Sequence, residues 1–180
     1  NILSKDSEIE VVATANDGKE AFELTQEHRP DVVLMDVLMP DYDGLYGIRN
    51  IMKFQPTPII VLSTVGNSSI GPIIEALKLG AIDYLNKPNG QSGLRSMHPS
   101  ITKMIKHAAK LDVEKLKSYS EERNQDIHKF STNRLYDLVV IGSSTGGPQA
   151  LSVVLNRIPV NMEVPILIAQ HMPKHFIRSF

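Results

Sequence analysis

The stretch DVVLMDVLMPDYDGL, Asp31–Leu45, sets a near-continuous apolar run ahead of an aspartate, and then a polar turn that ends on glycine. A strand with one face in water alternates apolar and polar side chains. A run without alternation is a strand buried on both faces, as in a parallel sheet covered by helices. The same signal recurs outward from this stretch. PTPIIVLST (56–64) and AIDYLNKP (81–88) are two more such strands, and IEVVATA (9–15) is a further one, rich in β-branched residues. Between them KEAFELTQEHR (19–29), LYGIRNIMKF (45–54) and IGPIIEALKLG (70–80) carry apolar residues at helical spacing, the last stopped by Gly80. SMHPSITKMIKHAAKL (96–111) adds one more helix. Strands and helices in alternation predict an α/β fold with a doubly wound parallel sheet.

After this unit the composition changes. DVEKLKSYSEERNQDIHKFSTNR (112–134) is charged, poor in large apolar residues and without a strand pattern, which reads as a linker. A new β-α-β unit then opens with YDLVVI (136–141), PQALSVVLNRI (148–158) and VPILIAQ (164–170). The expected domains are therefore 1–111, a tether over 112–134, and a second parallel α/β unit over 135–180. Both chain ends look cut, because the first residue is not methionine and KHFIRSF stops without a turn or cap.

Composition narrows the function classes. The 180 residues are 42% hydrophobic, enough for a packed core, and Lys+Arg of 19 against Asp+Glu of 20 leave a net charge of -1. No global field recruits nucleic acid or an anionic membrane. No apolar run approaches the ~18 residues that would insert into a bilayer. Cysteine is absent, which removes disulfides, thiolate nucleophiles and cysteine-based zinc sites and fits a reducing, cytoplasmic setting.

In an open parallel sheet, chemistry gathers beyond the carboxyl ends of the strands. Those ends supply Asp36, Ser63 with Thr64, and Lys87. A carboxylate, a hydroxyl and an ammonium converging there suit a phosphoryl group carried on the aspartate. Any one alone is more simply a polar residue ending a strand; together at successive ends they point to a site. Asp41 and Asp43 fall in the following turn, and DYDG has an incomplete calcium-ligand repeat, so both read as turn residues.

In the second unit, Gly142, Ser144 and Gly146 form G-x-S-x-G between a strand and a helix, the context of a nucleophile elbow. Backbone N–H groups just after the serine, those of Thr145 and Gly146, would hold an oxyanion. Pro148 suits the first helical turn. The lysine of a phosphate loop is absent, as is the dinucleotide pattern, and a tight structural turn is the bland alternative. Of the 6 histidines, His171 ends the apolar run VPILIAQHMP in the same β-α-β unit, which makes it the candidate general base. His171 and His175 are four apart, but Pro173 between them disfavours a helical metal pair.

DVVLMDVLMPDYDGL, PIIVLST and GAIDYLNKP resemble the signatures of response-regulator receiver domains, over roughly residues 8–110. The resemblance implies a flavodoxin-like fold with its first strand missing here. It makes Asp36 the phosphoacceptor, Ser63 the switch hydroxyl, Lys87 (followed by Pro88) the phosphoryl-binding lysine and Tyr84 the switch aromatic. Mg2+ is implied for phosphorylation, held by Asp36 and the backbone carbonyl of Leu38. The acidic pair that the family carries after its first strand is not in this sequence.

VVIGSSTGGPQAL with ILIAQHMP is similar to the start of the catalytic domain of CheB-type chemotaxis protein-glutamate methylesterases, in which a receiver, a linker and an esterase domain occur in this order. That resemblance implies Ser144 as nucleophile, His171 as base and a third, acidic triad member beyond Phe180. It implies hydrolysis of glutamate γ-methyl esters, and deamidation of some glutamines, on methyl-accepting chemoreceptors. The phosphodonor would be a chemotaxis histidine kinase, and the esterase would need no cofactor. The unphosphorylated receiver would cover the esterase cleft. Two other classes stand beside it: a phosphorylation-dependent binding module with an inactive second unit, and a serine hydrolase of unrelated substrate.

Overall fold

The computed structural model of the chain describes residues 3–63, 70–87, 90–113, 136–144, 146–159 and 161–170. In chain order its main elements are α1 (Gly18–His28), β1 (Val33–Asp36), α2 (Gly44–Phe54), β2 (Ile59–Ser63), α3 (Ile70–Lys78), β3 (Asp83–Asn86), α4 (Gly90–Ala108), β4 (Val139–Ser143), α5 (Gly147–Leu155) and β5 (Ile166–Gln170). β1, β2 and β3 form one parallel sheet in that order, and β4 pairs in parallel with β5.

The central strand β2 has the longest apolar run, and Ile59, Ile60 and Val61 on it are fully buried. They meet Met35 from β1, Ile48 and Ile51 from α2, Ile73 and Ala76 from α3, and Ile82 beside β3 in one core. Register aligns Asp36 with Leu62 and Ser63 with Asn86, so the carboxyl ends of the three strands finish side by side.

Local chemistry sets the helix ends. The Asp17 carboxylate accepts from the N–H groups of Lys19 and Glu20, both at 2.8 Å, while Glu20 reaches back to the Asn16 N–H at 2.7 Å. This reciprocal cap starts α1. α3 ends in a Schellman motif: Gly80 sits at φ +112°, its N–H donates to the Leu77 carbonyl, and the Ala81 N–H to that of Ala76. α1 packs on α2 through glycines. A β-carbon on Gly18 would lie 2.1 Å from the Asp43 carbonyl oxygen, and one on Gly47 would lie 2.9 Å from that of Gly18.

Three expectations are corrected. IEVVATA carries no ladder hydrogen bonds: residues 9–15 are irregular, and Val12 is 48% exposed. A strand exists only by pairing, and among the described residues none lies beside it. α4 begins at Gly90 and runs through Pro99, which removes one helical donor without ending the helix. Val113, assigned to the tether, is 5% exposed and belongs to the first core, so the packed unit reaches at least residue 113. The remainder of the expected tether lies outside the described residues. At the other end, the Lys106 ammonium bonds Asp6 at 2.9 Å and also pairs with Glu8, tying the N-terminal segment to α4.

Gly44 is the tightest steric position near the sheet ends: a β-carbon there would fall 2.0 Å from the Asp36 carbonyl oxygen. Gly44→Ala is expected to cost about 1–3 kcal/mol. Gly71→Ala, which meets open space inside α3, should be neutral or stabilising by up to about 1 kcal/mol. Urea unfolding midpoints measured at constant slope check both.

Candidate functional site

Asp36 is the last residue of β1, and Lys87 directly follows β3. The Lys87 ammonium donates to Asp36 Oδ2, while the Leu38 N–H donates to Asp36 Oδ1 at 3.2 Å. The Lys87 N–H in turn donates to the Ser63 carbonyl at 2.7 Å, which fixes the lysine backbone against the end of β2. The structure thus brings Asp36 and Lys87 into contact and sets Ser63 at the adjoining strand end. The Ser63 side chain is turned inward, 2% exposed. Thr64 and Pro88 lie outside the described residues. Asp36 and Lys87 are each about a third exposed, so solvent reaches the pair from one side.

The turn after β1 is built by its own polar residues. Asp41 adopts φ +57°, and the Asp43 carboxylate caps α2 by accepting from the Tyr46 N–H at 2.9 Å. Among the described residues no group of three or more His, Cys, Asp or Glu side chains gathers to hold a metal. The Asp36 carboxylate and the carbonyl of exposed Leu38 are oxygen donors, the donor type that magnesium prefers.

Tyr84 lies on β3 and is 8% exposed. Burial pushes its phenol up to about 12, with the neighbouring Asp83 charge adding to the shift.

At the second sheet, exposed Ser144 follows β4. Its carbonyl accepts from the Gly147 N–H at 2.7 Å and from Gln170 Nε2 at 3.2 Å. Gly146 adopts φ +75°, ψ -3°, in the left-handed region that favours glycine. Among described non-glycine residues only Arg29 and Asp41 have positive φ, and in the serine loop the positive φ is at Gly146. Gly142 meets open space, whereas a β-carbon on Gly147 would strike Gln170 Oε1 at 2.0 Å and Ser143 Oγ at 2.3 Å. Glycine is favoured at 146 by its positive φ, whereas at 147 a β-carbon would require the Gln170 and Ser143 side chains to move. Gln170 pairs with Ser143 in the β4–β5 register and immediately precedes His171, which, like Thr145, lies outside the described residues.

One contact has no counterpart in the sequence patterns: the Gly146 N–H donates to Asp83 Oδ2 at 3.1 Å. The signal for Asp83 is available, as a charged residue within the apolar strand AIDYL; its partner, 63 positions away, is not.

Residues 1–98 match the response regulator receiver domain family and residues 139–180 the CheB methylesterase family. A protein-glutamate methylesterase/protein-glutamine glutaminase of Methanococcus maripaludis is 41% identical over 198 residues, an alignment covering all of this chain and 54% of that protein. One of Carboxydothermus hydrogenoformans is 40% identical, covering 99% of this chain and 53% of the relative. The chain spans about half the length of the curated relatives it matches. The crystal structure of the response regulator domain of Thermotoga maritima CheB superposes with a TM-score of 0.57 at 35% identity, covering 62% of this chain and 84% of that one.

A phenol held near 12 keeps its proton where an ordinary tyrosine, at 10, loses it. The stability tied to that difference is fully present below pH 10 and is lost as pH rises through 12. Phenolate absorbance during alkaline titration should contain a component with a midpoint of about 12 that Tyr84→Phe removes. A Tyr84 component at the ordinary value would contradict the burial argument.

Proposed function

This chain belongs to the response regulator receiver family and carries the start of a CheB-type methylesterase domain, and on that premise we propose that it is the control unit and nucleophile loop of a phosphorylation-switched protein-glutamate methylesterase. The observation that carries the reading is the Asp36–Lys87 ion pair at the carboxyl edge of the first sheet. The receiver spans residues 1–113, extended past Leu111 by buried Val113. A tether to about residue 134 joins it to the opening of the esterase domain.

In the first half-reaction an Asp36 carboxylate oxygen attacks the phosphorus of a phosphodonor, a chemotaxis histidine kinase in its phosphorylated form. The new O–P bond forms as the bond to the donor nitrogen breaks, and the leaving imidazole takes up a proton. Lys87 offsets the charge that develops on the phosphoryl oxygens. Magnesium, where bound, would be held by Asp36 and the Leu38 carbonyl and would neutralise the same oxygens. The phosphoryl group brings about -1.5 to -2 charges to this edge at neutral pH. The Ser63 hydroxyl, once turned outward, would donate to it, and Tyr84 on β3 would carry the change to the adjoining surface.

In the second, Ser144 Oγ attacks the carbonyl carbon of a glutamate γ-methyl ester while His171 accepts its proton. The oxyanion rests on the N–H groups of Thr145 and Gly146. Collapse expels methanol, protonated by His171, and water attacks the acyl-serine to restore Ser144 and release the carboxylate. A glutamine substrate would follow the same course with ammonia leaving. Methyl-accepting chemoreceptors are the proposed substrates, and a cytoplasmic enzyme acting on them needs no membrane insertion of its own. Among the described residues no helix is long and apolar enough to cross a membrane.

Two experiments test the reading. Acetyl phosphate with magnesium should label the protein, and Asp36→Asn should abolish the label. In the full-length protein Ser144→Ala should eliminate ester hydrolysis while Ser143→Ala, whose hydroxyl packs at Gly147, keeps a substantial part. Unchanged labelling of Asp36→Asn, or loss confined to Ser143→Ala, would overturn the assignments.

A further inference from the structure

Asp83 is 7% exposed, and both of its carboxylate oxygens accept backbone N–H groups. Oδ1 accepts from Tyr84 at 2.8 Å and Oδ2 from Gly146 at 3.1 Å. The second donor belongs to the serine loop. It is held in place because α5 lies against α3 and β3, and because the Leu111 side chain comes within 3.4 Å of where a Gly146 β-carbon would be. Pro148 and Leu151, at the start of α5 and one turn on, are buried.

We propose that Asp83 is a built-in anion occupying the oxyanion donor of the serine loop, so that the loop is held with its catalytic N–H already taken. The inference rests on the esterase reading of Ser144. The chemistry is one of competition for a single hydrogen. A tetrahedral oxyanion and a carboxylate oxygen are both anionic acceptors, and both seek the N–H at about 2.7–3.1 Å. While Asp83 Oδ2 holds Gly146, the transition state for attack by Ser144 loses one of its two backbone donors and faces a like charge in the position it must fill. Steric covering of the cleft does not make this distinction. A cover excludes a receptor helix and admits a small ester, whereas an occupied oxyanion donor refuses both.

The same strand connects the decoy to the phosphorylation site. β3 starts with Asp83 and continues through Tyr84, and Lys87 follows it with its ammonium on Asp36. Any shift of Lys87 or Tyr84 on phosphorylation is transmitted along four residues of one extended segment to the carboxylate that holds Gly146.

The test compares wild type, Asp83→Asn and Asp83→Ala in the full-length protein with a small activated ester, p-nitrophenyl acetate, as well as with methylated receptor. Hydrogen bonds to a charged group are worth enough that unphosphorylated Asp83→Asn should hydrolyse the small ester about tenfold faster than wild type. With acetyl phosphate the two should converge. In the same proteins the Gly146 amide should exchange faster in Asp83→Asn, and retained labelling of Asp36 reports an intact receiver. Wild type that is activated by acetyl phosphate while both Asp83 variants keep its low basal rate would overturn the decoy and leave the esterase reading standing. Absence of Ser144-dependent hydrolysis in wild type under every condition would overturn the esterase reading, and the decoy with it.

Discussion

The Asp36 carbonyl oxygen and the first residue of α2 occupy nearly the same space. With 2.0 Å between that oxygen and the position of a Gly44 β-carbon, only a hydrogen atom fits. The Gly44 N–H closes the turn on the Val37 carbonyl at 3.0 Å, and Asp43 caps the helix at that point. A short excursion from Val37 to Asp43 thus returns the chain beneath the strand that ends at Asp36. Ile48 and Ile51 come next on the buried face of α2 and lock β1 to β2. The carboxyl edge of the sheet, and with it the approach of Lys87 to Asp36, depends on how closely α2 is allowed to begin.

Two acidic side chains in the first unit show how environment divides similar chemistry. Asp36 is partly open to water, and its charge is met by a lysine and one backbone N–H. Asp83 is almost fully buried; its charge is tolerated because backbone amides are supplied to both oxygens. An open carboxylate can accept a phosphoryl group. A buried one, bonded by amides at both oxygens, serves instead as a fixed negative end that orders whatever donates to it, and the neighbouring Tyr84 phenol is held neutral beside it.

Much of this is legible in the sequence, and the parts that are not share a cause. Continuous apolar runs mark β1, β2 and β3, since burial on both faces leaves no room for alternation. Gly80 marks the end of α3 because a cap is local chemistry. The pairing of Asp36 with Lys87 is expected from both standing at strand ends of a parallel sheet. IEVVATA fails as a strand because propensity cannot supply a partner. Val113 opens a charged segment and shares its composition window, although a single valine can still belong to the core before it. Only coordinates distinguish a glycine favoured by its positive φ (Gly146) from one whose β-carbon would meet open space (Gly142). The Asp83–Gly146 contact joins positions with no shared periodicity, so no window along the chain contains it.

The β4–β5 pair has only two strands among the described residues, with Val140 and Leu167 exposed upon it. Such a ribbon is marginal in water, and here the helix between its strands is seated on the first unit. During synthesis the first unit emerges from the ribosome earlier, and domains fold in that order. A finished β3, with Asp83 in place, is therefore waiting when the serine loop appears. The first unit then acts as a template, and the nascent loop acquires its shape around a carboxylate.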